Sequence, residues 1–459
     1  MKSSSLTALE RRSALSLASI FALRMFGLFM LLPVIRVLGE DLQGATLPLL
    51  GMAIGIYGLS QALLQLPLGV LSDKIGRKPI IYAGLLVFII GSLVAANSES
   101  IWGLIFGRAL QGAGAIASAV MALAADLTRP EQRSKIMAMI GGSIGLAFAL
   151  SLVLGPLLSN WLSLQGMFYL IAGLAFMALL VAFFMVPDGL DIGNGQKQSQ
   201  KIELSFSERW QHVTAKGRIF VLALAVFVIH WALIAVFLVV PERLIAAGFE
   251  LSQHSWIYLV VLILSIIIML PMMLNAERKG WHRQVMQLAF VLLALSLGVM
   301  FFEWQSISFW LLVLTLFFAG FNLLEAKLPS TVSNLYGAHY RGTALGIFST
   351  SQFLGAFLGG SVTGYLLPKI GFEGILWLNI GLLLSVGITL FKLGKLPEIK
   401  RVTLIIDDKQ QLRTAQVQAL KLPGVLEAFA NEVDGKVYLR IDNNKVNQQD
   451  LLALGRIEA

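Results

Sequence analysis

The sequence predicts an all-α membrane protein: twelve transmembrane helices in two six-helix bundles, followed by a small α+β domain with a βαββα, ferredoxin-like pattern. Three observations carry that expectation. Of 459 residues, 57% are hydrophobic and 13% charged, against roughly 45–50% and about 25% in soluble globular proteins. The apolar residues fall into twelve runs near the length of about 20 residues that a membrane-crossing helix needs. A polar stretch divides those runs six from six.

The first bundle, residues 1–187, holds runs near 14–38, 47–71, 79–97, 101–125, 135–160 and 167–187. The opening run contains Arg24 and Pro33 and lacks a small-residue cleavage pattern, so it reads as a helix and not as a signal peptide. Residues 188–216 form a linker whose Gly193 to Lys201 segment has the polar, glycine-containing composition of one. The second bundle, 217–395, holds runs near 217–247, 254–275, 284–303, 307–335, 342–367 and 374–392. Basic residues concentrate on one side: Arg11 and Arg12; Lys74, Arg77 and Lys78; Arg129, Arg133 and Lys135; the linker; Arg278, Lys279 and Arg283. The opposite loops hold only Arg36, Arg243 and Lys369. The positive-inside rule places the N-terminus, linker and C-terminus in the cytoplasm of a bacterial-type inner membrane. The net charge of +9 is assigned to these loops rather than to nucleic-acid binding.

Residues 401–459 read as a soluble domain. Val402 to Ile406 is strand-like, Arg413 to Leu420 has helical spacing, and Gln448 to Leu454 is a second short helix. Val425 to Val433 and Lys436 to Asp442 flank Asp434-Gly435, a dipeptide that accepts the positive φ angles of a tight hairpin turn. Small metal-associated domains of this pattern use a Cys-x-x-Cys pair, but the chain has no cysteine and this segment no histidine. No soft-metal site is expected. Asp407, Asp408, Asp434 and Asp442 read as scattered surface acids.

The loop after the second run is Gly69-Val70-Leu71-Ser72-Asp73-Lys74-Ile75-Gly76-Arg77-Lys78. Gly69 permits close helix approach, Asp73 is an anion at a helix end, and Gly76 allows a tight turn. The pattern resembles the signature loop of the major facilitator superfamily. A degenerate copy, Glu277-Arg278-Lys279-Gly280, follows the eighth run, with Trp281 and His282 in place of the trailing cations. Such echoes fit two homologous halves. Arg108-Ala109-Leu110-Gln111-Gly112 is similar to a motif of proton-coupled members, and Gly155-Pro156 begins an incomplete antiporter motif. Phe321 to Ala326 and Ser349 to Gly355 extend the likeness to the YajR-type transporters of the drug:proton antiporter branch. The resemblance implies a secondary transporter in which Gly69, Asp73, Gly76, Arg77, Lys78 and Asp126 build a conformational latch. The latch would hold the first half to the start of the eleventh span in the outward-open state.

Charges within a bilayer cost about 2.5–3.5 kcal/mol each on insertion scales, so they mark candidate sites. Here they are Arg24, Arg108, His230, Glu325 and Lys327; Gln111 belongs to the Arg108 motif, and Asn322 stands three residues before Glu325, on a shared face. Each also has a structural role open to it. Arg108 can hold helix carbonyls, Arg24 can snorkel, and Glu325 can pair with Arg24, Arg108 or Lys327. Arg24, Arg108, Gln111, His230, Asn322 and Glu325 are taken as the proton and substrate cavity, with Gln61, Gln65, Gln352 and Asn379 as weaker lining residues. Trp231 is a further lining candidate, and Trp102, Trp161, Trp256, Trp304 and Trp310 are placed at the membrane interfaces. An acid among aromatics suits an amphipathic organic cation.

The expected function is proton-coupled efflux of a small amphipathic compound. An importer or facilitator is the alternative, and a membrane sensor with the C-terminal domain as output is a second class. No zinc-protease pair, membrane-embedded serine–histidine set or P-loop occurs, so neither an enzyme nor an ATP-driven pump is expected. The partners are a small-molecule substrate, protons and the bilayer, with oligomerisation through the C-terminal domain; no cofactor, metal or nucleic acid is called for.

Overall fold

A computed structural model describes residues 6–129, 132–187, 206–302, 305–406, 411–431, 435–443 and 445–457. Most of the linker, and the expected sites Trp304, Asp407, Asp408 and Asp434, lie outside them. Eleven helices among the described residues are long and apolar enough to cross a membrane. The last, Tyr340–Leu393, is two crossings joined where Gly371 adopts φ +69°. That gives twelve spans.

Span one, Ala8–Phe29, starts earlier than its apolar run because Thr7 and Glu10 exchange side-chain and backbone bonds in a capping box. It also ends earlier: a run of turns carries the chain to a short helix, Ile35–Leu38. Spans two and three are Leu47–Ile75 and Arg77–Ala96. Span four is broken into Ile101–Ala113 and Ala117–Asp126 on either side of Gly114. Spans five and six are Arg133–Leu158 and Leu164–Phe184. Spans seven to ten are Arg218–Ala246, His254–Lys279, His282–Val299 and Ile307–Leu335, and Ala338–Thr389 supplies spans eleven and twelve. Trp102, Trp161 and Trp256 are exposed near helix ends, whereas Trp310, expected beside them, is buried.

The two halves of the chain meet along a glycine seam between spans two and eleven. A β-carbon at Gly55 would stand 2.6 Å from the Phe357 carbonyl oxygen, one at Gly58 2.6 Å from that of Phe353, and one at Gly51 would collide with the Gly360 carbonyl. Only glycine allows backbones so close. We expect Gly51→Val to lower the unfolding temperature in detergent by about 1–3 °C, since overpacking costs about 1–3 kcal/mol and neither backbone can rotate aside. Gly141→Val, where nothing lies within 4 Å, is the control. Equal melting of the two variants would show that the seam is not tight.

The seam runs down to Leu66 beside Gly346, towards the face that carries the linker and the C-terminal domain, here termed the linker face. On that side a β-carbon at Gly141, Gly142 or Gly145 of span five would meet nothing within 4 Å. On the opposite, far face the halves are joined by an ion bridge described below.

The C-terminal domain is a four-stranded antiparallel sheet of β1 (Ile399–Ile405), β2 (Val425–Asn431), β3 (Lys436–Asp442) and β4 (Arg456–Ile457), in the order β2-β3-β1-β4. Helices Leu412–Lys421 and Gln448–Leu452 complete it. β4 finishes the ferredoxin-like pattern that the sequence reading left truncated; two residues are too few to show strand alternation. Asp442 is buried, accepting from the Glu398 backbone N–H at 3.2 Å, and is not the surface acid expected. The domain rests on the adjoining ends of spans ten and eleven. Arg440 donates to the Ser333 carbonyl (2.9 Å) and Asn334 Oδ1 (2.8 Å), and Glu427 pairs with Arg341 at 2.6 Å.

Candidate functional site

In the second half, spans seven, ten and eleven converge on one histidine. His230 Nδ1 lies 3.0 Å from the Val226 carbonyl one turn back. Donation there leaves Nε2 as an acceptor, and the Gln352 amide donates to it at 2.8 Å. The same amide reaches Glu325 Oε1 at 3.4 Å. Glu325 Oε2 stands 3.6 Å from His230 Nε2 and has no hydrogen bond. The Glu325 side chain is 43% exposed while its Oε2 is buried, so the carboxylate that the sequence suggests is buried is only partly so. The cause is position: Glu325 lies one turn to the linker side of an aromatic contact between the halves, where Phe148 of span five meets Phe318 and Phe321 of span ten at 6.4 and 6.0 Å.

None of the three cations considered for Glu325 is its partner. Lys327 is buried and pairs with Glu277, with His282 Nδ1 at 3.3 Å. This pairing was missed: Arg278, Lys279 and Arg283 stand nearer to Glu277 in sequence, and no spacing points to span ten. Asn322 also departs from its expected place. It donates to Ser265 of span eight at 3.2 Å and does not share the face of Glu325. Three residues of α-helix leave about 60° of offset, enough to turn it to a different neighbour.

In the first half Arg24 and Arg108 are both 1% exposed. Arg108 donates from Nε to the Ala53 carbonyl (3.2 Å), from Nη1 to Gln111 Oε1 (2.9 Å) and from Nη2 to the Ile54 carbonyl (3.4 Å). Gln111 passes the chain to Ser92 at 2.8 Å. These two residues therefore tie spans two, three and four together inside the bundle rather than lining an open cavity. Arg24 donates from Nη2 to the Gly114 carbonyl (2.9 Å), left free by the break in span four, and to Gln61 Oε1 (3.4 Å). The Tyr57 ring lies beneath both guanidiniums, at 6.0 and 5.2 Å. Tyr57 was not singled out, yet with Gln61 and Gln65 it forms a polar stripe at i, i+4 and i+8. Asn379 bonds only its own helix, and Trp231 is buried against span eleven at Gly359.

At the linker face Arg77 pairs with Asp73 and, at 3.2 Å, with Asp126, and donates to Ser72 Oγ at 2.7 Å. Lys78 donates to the Val186 carbonyl at 2.9 Å. Gly69 abuts Ser118 of span four, and Gly76 has φ +101°. The group stays within the first half: no bond or ion pair of Asp73 reaches span eleven among the described residues. At the far face Arg36, 3% exposed, pairs with Glu40 in its own segment and with Glu242 of span seven at 2.7 Å. The sequence reading had treated Arg36 only as a loop charge.

Residues 17–321 and 222–431 match the family described as the Major Facilitator Superfamily. The chain is similar to the inner membrane transport protein YajR of Escherichia coli (strain K12), at 40% identity over 448 residues and 96% of each chain. It is 25% identical over 360 residues to Multidrug resistance protein 2 of Bacillus subtilis (strain 168), spanning 76% of this chain and 86% of that one. A solved D-xylose-proton symporter shares the fold with a TM-score of 0.64 at 15% identity, over 84% of this chain and 98% of the other.

Proposed function

The chain belongs to the major facilitator superfamily, and is thus a membrane transporter rather than an enzyme; on that premise we propose that it exports a small amphipathic compound in exchange for protons. The His230–Glu325–Gln352 cluster carries this reading. A proton arriving at His230 Nε2 turns that nitrogen from acceptor to donor. It then faces the Gln352 amide N–H, donor against donor. The amide has to turn, and the unpartnered Glu325 Oε2, 3.6 Å away, is drawn in. Protonation thereby moves the histidine's bond from span eleven towards span ten. Such a change of partners biases two arrangements of the halves, as alternating access requires. The likeness to a multidrug resistance protein supports efflux of an amphipathic compound.

The membrane is the bacterial inner membrane, in keeping with the relative of that location, and the linker face is cytoplasmic, as loop charge requires. Residues 1–187 and 217–395 rock as two bodies, closed here at the far face. In the opposite state Asp73 caps the start of span eleven and latches the cytoplasmic side; its confinement to Arg77 here agrees with release of that latch. Asp73→Asn should cut transport at least tenfold with normal insertion. Wild-type flux in that variant removes the latch from the mechanism.

The test is flux in everted membrane vesicles with an acid interior and a panel of fluorescent amphipathic compounds. Antiport predicts that adding a substrate releases protons from the interior. A substrate that moves in the same direction as protons makes the protein a symporter. Binding without any flux makes it a sensor.

A further inference from the structure

We propose that Arg24 is a docking point for an organic carboxylate, so that the transported compound carries an acid group; this rests on the transport reading above. The two buried arginines of the first half differ in one respect. Every nitrogen of Arg108 has an acceptor. Arg24 has acceptors of good geometry at Nη2 only; its Nε and Nη1 are buried without one, and the Tyr57 hydroxyl is the neutral polar group set against the guanidinium. A buried guanidinium with open donors and no counter-charge is a costly arrangement. No carboxylate of the first half neutralises it. Among the described residues, the acids of spans one to six are Glu10, Asp73 and Asp126, all at linker-face ends. Glu325 stands in the second half, with Oε1 facing Gln352 and Oε2 facing His230.

The surroundings define the ligand. Phe88 and Tyr57 present their rings to the guanidinium at 5.2 and 6.0 Å, which suits an acid on an aromatic or aliphatic body. Gln61 covers the site through a bond of 3.4 Å, long for a hydrogen bond, and it leads to the half-buried Gln65. When Gln61 swings off Nη2, one edge of the guanidinium offers two adjacent donors, the geometry that carboxylates take. Composition had suggested a cationic substrate because it weighed the Glu325 acid alone. With the Arg24 guanidinium weighed as well, the first half favours an acid.

The experiment measures thermal shifts of the purified full chain in detergent. Benzoate, 1-naphthoate and octanoate are compared with benzylamine, 1-naphthylmethylamine and octylamine, in wild type, Arg24→Gln and Arg24→Lys. We expect at least one carboxylate to raise Tm, with binding weakened tenfold or more in Arg24→Gln and less in Arg24→Lys. Should Arg24→Gln fail to fold, Gln61→Glu supplies a tethered acid instead: it should raise the unliganded Tm and abolish the carboxylate shift. Shifts from amines only, carboxylate shifts unchanged in both variants, no shift with any compound, or a shift that chloride alone reproduces would each overturn the proposal. Binding in detergent needs no proton gradient, so failure of antiport and failure of the acid assignment are read separately.

Discussion

Glu325→Gln is expected to abolish uphill transport while leaving the protein folded, inserted and able to exchange substrate downhill. Glutamine is nearly isosteric with glutamate, so the contact with Gln352 (3.4 Å) can be kept and no cavity is made. What is lost is the acceptor for a protonated His230. Without it, loading the histidine no longer favours one arrangement of spans seven, ten and eleven over the other. Each proton exchanged across a gradient of one pH unit is worth about 1.4 kcal/mol, or a tenfold accumulation. Wild type in reconstituted vesicles should hold a gradient of that order, and Glu325→Gln should hold none. His230→Gln should fail in the same way, since it removes the site the proton occupies. If Glu325→Gln accumulates substrate as wild type does, the carboxylate is structural and the proton enters elsewhere.

Much of this architecture was legible because membrane insertion imposes a crude rule: enough apolar length makes a span. The twelve runs came from that rule, including the division of the last long helix into two crossings. The breaks after Phe29 and at Gly114 did not. They interrupt the helix without interrupting hydropathy, and hydropathy carries no record of backbone direction. Arg24 was legible as a charge in the membrane, but its acceptor at Gly114 exists only because span four breaks there. The charge partners were the least legible part. Glu325, Arg108 and Lys327 were all named, yet pairing depends on which spans adjoin. Span ten adjoins span seven at His230 and span eight at Ser265, leaving Arg108 enclosed in the other half. The signature loop was readable in order and spacing, and its internal pairing of Asp73, Arg77 and Asp126 is the one network the resemblance anticipated.

Breaking the Arg36–Glu242 bridge should shift the protein towards the state open at the far face. Arg36 is buried and joined to two acids, one from each half of the chain. Glu242→Gln leaves Glu40 as its counter-charge, so no unpaired buried cation results and the fold survives. Glu242 is more than half exposed, and solvent screening limits such a pair to about 1 kcal/mol. That energy corresponds to roughly a fivefold change in the ratio of the two states. The chain has no cysteine, so a single cysteine at Phe29, in ring contact with Phe148, reports opening through its reaction with a membrane-impermeant maleimide added from the far side. Its labelling should quicken about fivefold in Glu242→Gln and further in Arg36→Gln, which loses both pairs. Asp73→Asn pushes the other way, because the proposed latch stabilises the same far-face-open state that this bridge opposes. The two sites lie at opposite ends of the spans and share no partner, so their energies should add. Asp73→Asn combined with Glu242→Gln should therefore recover transport lost in Asp73→Asn alone. Recovery would establish the bridge and the loop as opposed gates on one equilibrium; a double variant no better than Asp73→Asn would mean that the loop acts on something other than that equilibrium.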